Sequence, residues 1–131
     1  MASIHRSVKI DRPAAAIWDA LRDVGALHTR LVKGFVIDCT LHGRTRDVTF
    51  ANGMKATETI VDVDDQRRRV AWAAPGGRLT HYNASAQVFQ VTDQSAEVRW
   101  VADLMPDEMA PAIDAMIEQG LAAMKRTLES D

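Results

Sequence analysis

The sequence predicts an α+β fold: one strand, one or two short helices, six antiparallel strands, and a long C-terminal helix. Three observations carry this. Helical periodicity is confined to the two ends of the chain. Between them, residues 34–103 read as strands separated by short turn signals. Connections that short cannot be crossovers, so consecutive strands must run antiparallel. The 131 residues fit one domain, 1–131, with its own core.

Ser3 to Ile10 is the first strand. Asp11-Arg12-Pro13 then opens a helix, with Pro13 suited to its first turn and Ile17, Trp18 and Leu21 at helical spacing. Gly25 ends it, and Ala26 to Val32 forms a second short helical piece. From Pro106 onward Met109, Ile113, Met116, Ile117, Gly120, Leu121, Met124 and Leu128 mark one face of the long helix. Pro111 removes a hydrogen-bond donor there, so the first turn should be kinked or separate.

Five turn signals set the strand register: His42-Gly43, Asn52-Gly53, Asp65-Gln66, Gly76-Gly77 and Asp93-Gln94. If each is a two-residue loop, one face carries Phe35, Ile37, Cys39, Val48, Phe50, Val61, Val70, Trp72, Phe89, Val98 and Trp100. The other carries Asp38, Asp47, Glu58, Asp62, Arg69 and Arg99, together with Tyr82, Ala84, Ala86 and Val88. A bulge near Val88-Phe89 would alter that last stretch. The same register places Arg46, Thr57, Thr59, His81, Asn83, Ser85 and Gln87 among the apolar residues. An unpaired buried polar group costs roughly 1–3 kcal/mol, so this mixture points to a hydrated or ligand-filled space under the helix.

Composition excludes several classes. Sixteen Lys and Arg against 18 Asp and Glu, for a net charge of −2, give no support to nucleic-acid binding. No window approaches a membrane span, so integral membrane association is not expected. The start, MASIHRSVKI, has no apolar signal region, and a lone cysteine, Cys39, cannot make an internal disulfide. A cytoplasmic protein, monomer or homodimer, is expected. His5, His28, His42 and His81 lack metal-ligand spacing, and no dinucleotide, acyl-serine or phosphate-loop motif occurs. No metal and no cofactor are expected.

The segments SVKIDRPAAAIWDAL, VTFANG, TETIVDVDDQRRRVAW, HYNASAQV and VRWVADLMPDEM, followed by the long helix, resemble the START-like polyketide cyclase/dehydrase and lipid-transport superfamily (SRPBCC) over essentially the whole chain. The resemblance implies a helix-grip fold, a seven-stranded antiparallel sheet wrapped round the C-terminal helix. It also implies a cavity for a hydrophobic or amphipathic small molecule. Binding proteins, lipid carriers and aromatase/cyclases share that fold, so the activity must come from the site.

The expected ligand site has apolar walls from Phe35, Val48, Phe50, Trp72, Trp100, Met109, Ile113, Met116 and Ile117. His81, Asn83 and Gln87 would orient the ligand. Arg46 could meet a ligand carboxylate or reach back to solvent. Glu58 points outward to a surface ion pair, and Cys39 is a buried, inert thiol. Two other functions are open. A cyclase-type enzyme would use His81, with Asn83, for proton transfer. An interaction domain would present the outer face with Tyr82 and Val88.

Overall fold

A computed structural model describes residues 1–130. Strand β1 (Ala2–Ile10) leads into α1 (Ala14–Leu21), with Pro13 at the N-cap. A π-helical turn, Leu27–Leu31, follows. Six strands come next: β2 (Val36–His42), β3 (Thr45–Phe50), β4 (Lys55–Asp64), β5 (Arg69–Ala73), β6 (His81–Thr92) and β7 (Ser95–Met105). The helix α2 (Ala110–Glu129) closes the chain. Its first turn is separate, a 3-10 turn at Asp107–Met109, and Pro111 sits in the first positions of α2, where a missing N–H is not needed.

The seven strands form one antiparallel sheet in the order β1-β7-β6-β5-β4-β3-β2, the helix-grip arrangement. The N-terminal strand therefore joins the last one, and β1 and β2 are the edges. The inner face packs on α2, whose buried stripe is Ile117, Gly120, Leu121, Met124 and Leu128. Gly120 is required at that contact. A Cβ there would stand 2.8 Å from Cζ3 of Trp100 and 3.2 Å from Cε2 of Phe35. At the other end, Trp18 Nε1 donates to Asp65 Oδ1 at 3.0 Å, tying α1 to the β4–β5 hairpin.

The register differs from the two-residue-loop expectation in two loops that change strand faces. The β3–β4 connection runs through Ala51–Met54, and Val48 pairs with Ala56 rather than Thr57. Glu58 and Ile60 consequently face inward, while Thr57 and Thr59 face outward. The β5–β6 connection is longer, Ala74–Thr80, and Trp72 pairs with Ala84 rather than His81. This turns Tyr82, Ala84, Ala86 and Val88 inward and places His81, Asn83, Ser85, Gln87 and Phe89 on the outer face. Cys39, Val48, Val70, Trp72, Val98 and Trp100 are buried on the inner face, as expected.

Three strands carry one extra residue each. The irregularities lie between Val36 and Asp38, between Ile60 and Asp62, and between Gln90 and Thr92. The skipped residues are Ile37, Val61 and Val91, and all three are exposed. A bulge leaves its extra residue unpaired and turned off the regular alternation. That accounts for β-branched apolar side chains in water, and it overturns the inward placement of Ile37 and Val61. No helix among the described residues is long and apolar enough to cross a membrane.

Candidate functional site

The inner face beneath α2 holds a polar cluster in apolar surroundings. Arg46 on β3 and Glu58 on β4 lie directly opposite each other in the ladder. Both are buried, and Arg46 Nε donates to Glu58 Oε1 at 2.8 Å. A second guanidinium nitrogen, Nη1, donates to the Val24 carbonyl at 3.0 Å. The central carbon of the guanidinium, Cζ, lies over the Trp72 ring, 5.4 Å from its centre, at cation–π distance. Trp72 in turn meets Trp100 edge to face at 5.7 Å.

Tyr82 and Trp100 complete the cluster. Their exposures are 4% and 8%, and neither Tyr82 Oη nor Trp100 Nε1 has a hydrogen-bond partner among the described residues. Burial pushes the Tyr82 phenol well above its ordinary pKa, and the nearby Glu58 carboxylate pushes it further. The Trp100 indole N–H works the other way.

The small side chains of Ala84 and Ala86 on β6 and Ala102 on β7 leave the space that the two tryptophans occupy. Toward the end of the sheet where β3 finishes and α2 begins, the apolar lining is only half-buried. Phe35, Phe50, Met109, Ile113 and Met116 pack against the core there without being fully covered. Phe35 and Phe50 meet edge to face at 5.4 Å.

The structure thus brings Phe35, Arg46, Val48, Phe50, Trp72, Trp100, Met109, Ile113, Met116 and Ile117 to the side of the sheet that faces α2 or to its rim. It separates His81, Asn83 and Gln87 from them. His81 pairs with Met105 on the outer face, Asn83 is exposed, and Gln87 Nε2 donates to the Arg67 carbonyl at 3.1 Å. Arg46 does not reach solvent; it is held by Glu58, which points inward rather than outward. Tyr82 and Val88 are buried, so the outer surface they were expected to form does not exist. The inward face of Glu58 and Tyr82 escaped the sequence reading because it depends on the lengths of two loops. The alternation of Tyr82, Ala84, Ala86 and Val88, apolar at every second residue, was the available signal.

Two open grooves lie outside this interior. One, of about 610 Å³, runs between the β1 edge at Ser3–Ser7 and Ala110, Pro111 and Asp114 of α2. Its charged pair is already matched, with Arg6 donating from Nε and Nη2 to Asp114 at 2.7 and 2.9 Å. The other, of about 370 Å³, lies over β2, β3 and β4 and includes Asp38, Asp47 and Thr57. Among the described residues no cluster of three or more His, Cys, Asp or Glu could hold a metal ion.

Comparison with known proteins agrees with this architecture. A "putative uncharacterized protein" of Bacillus thuringiensis superposes with a TM-score of 0.87 at 20% identity, over 99% of this chain and 100% of that one. The di-domain ARO/CYC BexL of the BE-7585A biosynthetic pathway superposes at 0.85 and 18% identity, over 98% of this chain and 47% of that one. Norcoclaurine synthase of Thalictrum flavum, in complex with dopamine and hydroxybenzaldehyde, gives 0.74 and 21%, over 98% and 84%. No curated protein matches the sequence. The profile of the polyketide cyclase/dehydrase and lipid transport family matches residues 1–129. The chain therefore belongs to the polyketide cyclase/dehydrase and lipid transport family.

Proposed function

We propose that the protein binds a hydrophobic or amphipathic small molecule between the inner face of the sheet and α2. The observation that carries this reading is the set of half-buried apolar side chains Phe35, Phe50, Met109, Ile113 and Met116. Phe35 and the buried Trp100 both approach Gly120 of α2. Large apolar side chains left partly uncovered at one end of a core lose roughly 25 cal/mol for each Å² still in water. An apolar ligand would remove that exposure. Methionine suits such a rim because its unbranched thioether adapts to ligands of differing shape. The fold also holds small aromatic molecules in norcoclaurine synthase.

The test is a titration of the purified protein with Nile red, read by dye fluorescence, alongside native mass spectrometry for co-purified molecules. Saturable, stoichiometric binding that weakens in Ile113→Arg, with the circular dichroism unchanged, is the expected result. Absence of both saturable binding and a co-purified compound would defeat the reading.

One observation favours a second reading, a cyclase-type reaction in the same place. Glu58 brings a carboxylate to the inner face, the position from which His81 is absent. Glu58 would then take a proton from a carbon acid held beside Tyr82. If a bound ketone exchanges its α-hydrogens for deuterium no faster than in buffer, this second reading fails.

A further inference from the structure

The β1 edge of the sheet is open where it runs beside the groove at the start of α2. The hydrogen bonds around it fix which backbone groups face that opening. Ala74 N–H donates to the Tyr82 carbonyl, so even-numbered residues of β6 bond β5. Thr80 N–H donates to the Met105 carbonyl, so odd-numbered residues of β7 bond the β6 side. The even-numbered residues of β7 therefore bond β1, where they stand opposite Ile4, Arg6 and Val8. The odd-numbered residues of β1 turn their N–H and C=O away from the sheet. Two of these outward groups are taken by the end of α2: Lys125 Nζ donates to the Lys9 carbonyl at 2.9 Å, and the Asp11 N–H donates to Glu129 at 2.9 Å. Among the described residues nothing bonds the outward backbone groups of Ser3, His5 and Ser7, and all three residues are exposed.

An open strand edge is normally guarded by a bulge, a proline, a lysine or an inward-pointing charge. The other edge strand, β2, has its bulge at Ile37. β1 pairs with β7 over nine residues without a shift, has no proline, and carries its lysine, Lys9, beyond the open stretch. Its inward charge, Arg6, is drawn off to Asp114 of α2.

The groove admits one extended chain. It measures about 610 Å³, with Ser3–Ser7 as one wall and Ala110, Pro111 and Asp114 as the other. A second copy pairing through its own β1 would bring its own α2 to the same place. Paired strands lie about 4.8 Å apart, whereas packed helices need about 8–10 Å. The groove also has a sign. Arg6 offers one positive charge to two carboxylates, Asp114 at 2.7 Å and Glu118 at 3.5 Å, which leaves a negative charge over.

We propose that an extended segment of a partner protein adds to β1 as a further antiparallel strand, with a lysine or arginine opposite Arg6 and a β-branched apolar residue opposite Ile4. The partner residues opposite Ser3, His5 and Ser7 exchange backbone hydrogen bonds with them. The two between point toward α2. There the apolar side chain meets Ile4, Ala110 and Pro111, and the basic one reaches Glu118. This site is separate from the space beneath α2 and stands whichever small molecule binds there.

The test titrates a capped, fluorescein-labelled peptide, Ser-Thr-Lys-Thr-Val-Thr-Ser, with the full chain, read by fluorescence anisotropy. Its central threonine is designed to lie opposite His5. Saturable binding is expected, with slowed hydrogen exchange at the Ser3, His5 and Ser7 amides. N-methylation of the central threonine should weaken binding roughly five-fold or more, the value of one hydrogen bond. N-methylation of the lysine, whose N–H points away from β1, should leave it unchanged. His5→Pro removes one outward donor at an edge position that tolerates proline, and should weaken binding with the circular dichroism unchanged. If that variant fails to fold, Glu118→Gln decides. It should weaken the lysine peptide about two-fold at low salt and leave a peptide with threonine in place of lysine unaffected. Equal weakening by the two N-methyl groups, protection at β2 instead of β1, or no saturation at millimolar peptide overturns the proposal. So does protection of the three amides that grows with protein concentration alone, which would make a second copy the occupant.

Discussion

Arg46 and Glu58 face each other across β3 and β4 at 2.8 Å, both nearly closed off from solvent. Such a pair is worth little relative to apolar residues, yet removing one partner strands a buried charge and costs about 3–5 kcal/mol. Glu58→Leu should therefore destabilise strongly. The double change Arg46→Met with Glu58→Leu should recover most of the loss, even though it also abandons the Val24 carbonyl. Urea unfolding of the two single variants and the double variant measures the coupling. Additive losses would show that the two groups do not act as a pair.

Gly120 carries a second expectation, opposite to the usual rule. Replacing a mid-helix glycine by alanine normally stabilises by roughly 0.5–1 kcal/mol. Here the new methyl would stand 2.8 Å from the Trp100 ring. Trp100 cannot retreat freely, because it is buried against Trp72. Overpacking of this kind costs about 1–3 kcal/mol. Gly120→Ala should therefore lower the melting temperature. A rise would mean that Trp100 has room to move, and with it a larger empty space beneath α2.

How far the site was legible in the sequence follows from parity. Side chains alternate along a strand, so an error of one residue in a loop inverts the whole strand beyond it, and one bulge inverts it back. The β3–β4 loop inverted the first half of β4, and the bulge at Val61 restored the rest. The β5–β6 loop inverted β6, and the bulge at Val91 restored β7. Trp72 and Trp100 therefore came out on the correct face, while His81 and Tyr82 exchanged roles. Element order and the long helix were readable because periodicity over many residues survives such errors. The polar half of the site was not, because it rests on the exact length of two loops.

Tyr82 is the chain's single tyrosine, so phenolate absorbance reports on it alone. Its folded pKa is raised by burial and by Glu58 above the ordinary value of 10.0. A group raised in this way contributes stability that is fully present below its unfolded pKa and lost as the pH rises above it. The native protein should show no phenolate at pH 10, then ionise together with alkaline unfolding. The urea-unfolded chain should titrate near pH 10. Tyr82→Phe should extend the alkaline range of the fold. A reversible native titration near pH 10 would show that the hydroxyl is open to water and that its burial does not hold the proton.

Arg6 and Asp114 clamp the β1 edge to the first half of α2 with two hydrogen bonds. The bond to Arg6 holds the Asp114 carboxyl below its ordinary value of 3.8, and the charge of Arg6 adds to it. A lowered carboxyl contributes stability that is present above the unfolded pKa and lost as the pH falls through the folded one. The clamp should therefore hold unchanged from neutral pH to about 4 and release below that. Both side chains are more than a third exposed, so the effect should be modest and weaker in high salt. Asp114→Asn should lower the melting temperature slightly at pH 7 and flatten its decline in acid, the two curves converging as the wild-type carboxylate protonates. Curves that stay parallel down to pH 3 would mean that Asp114 titrates as it does in the unfolded chain. The ion pair would then contribute nothing to holding α2 against the sheet.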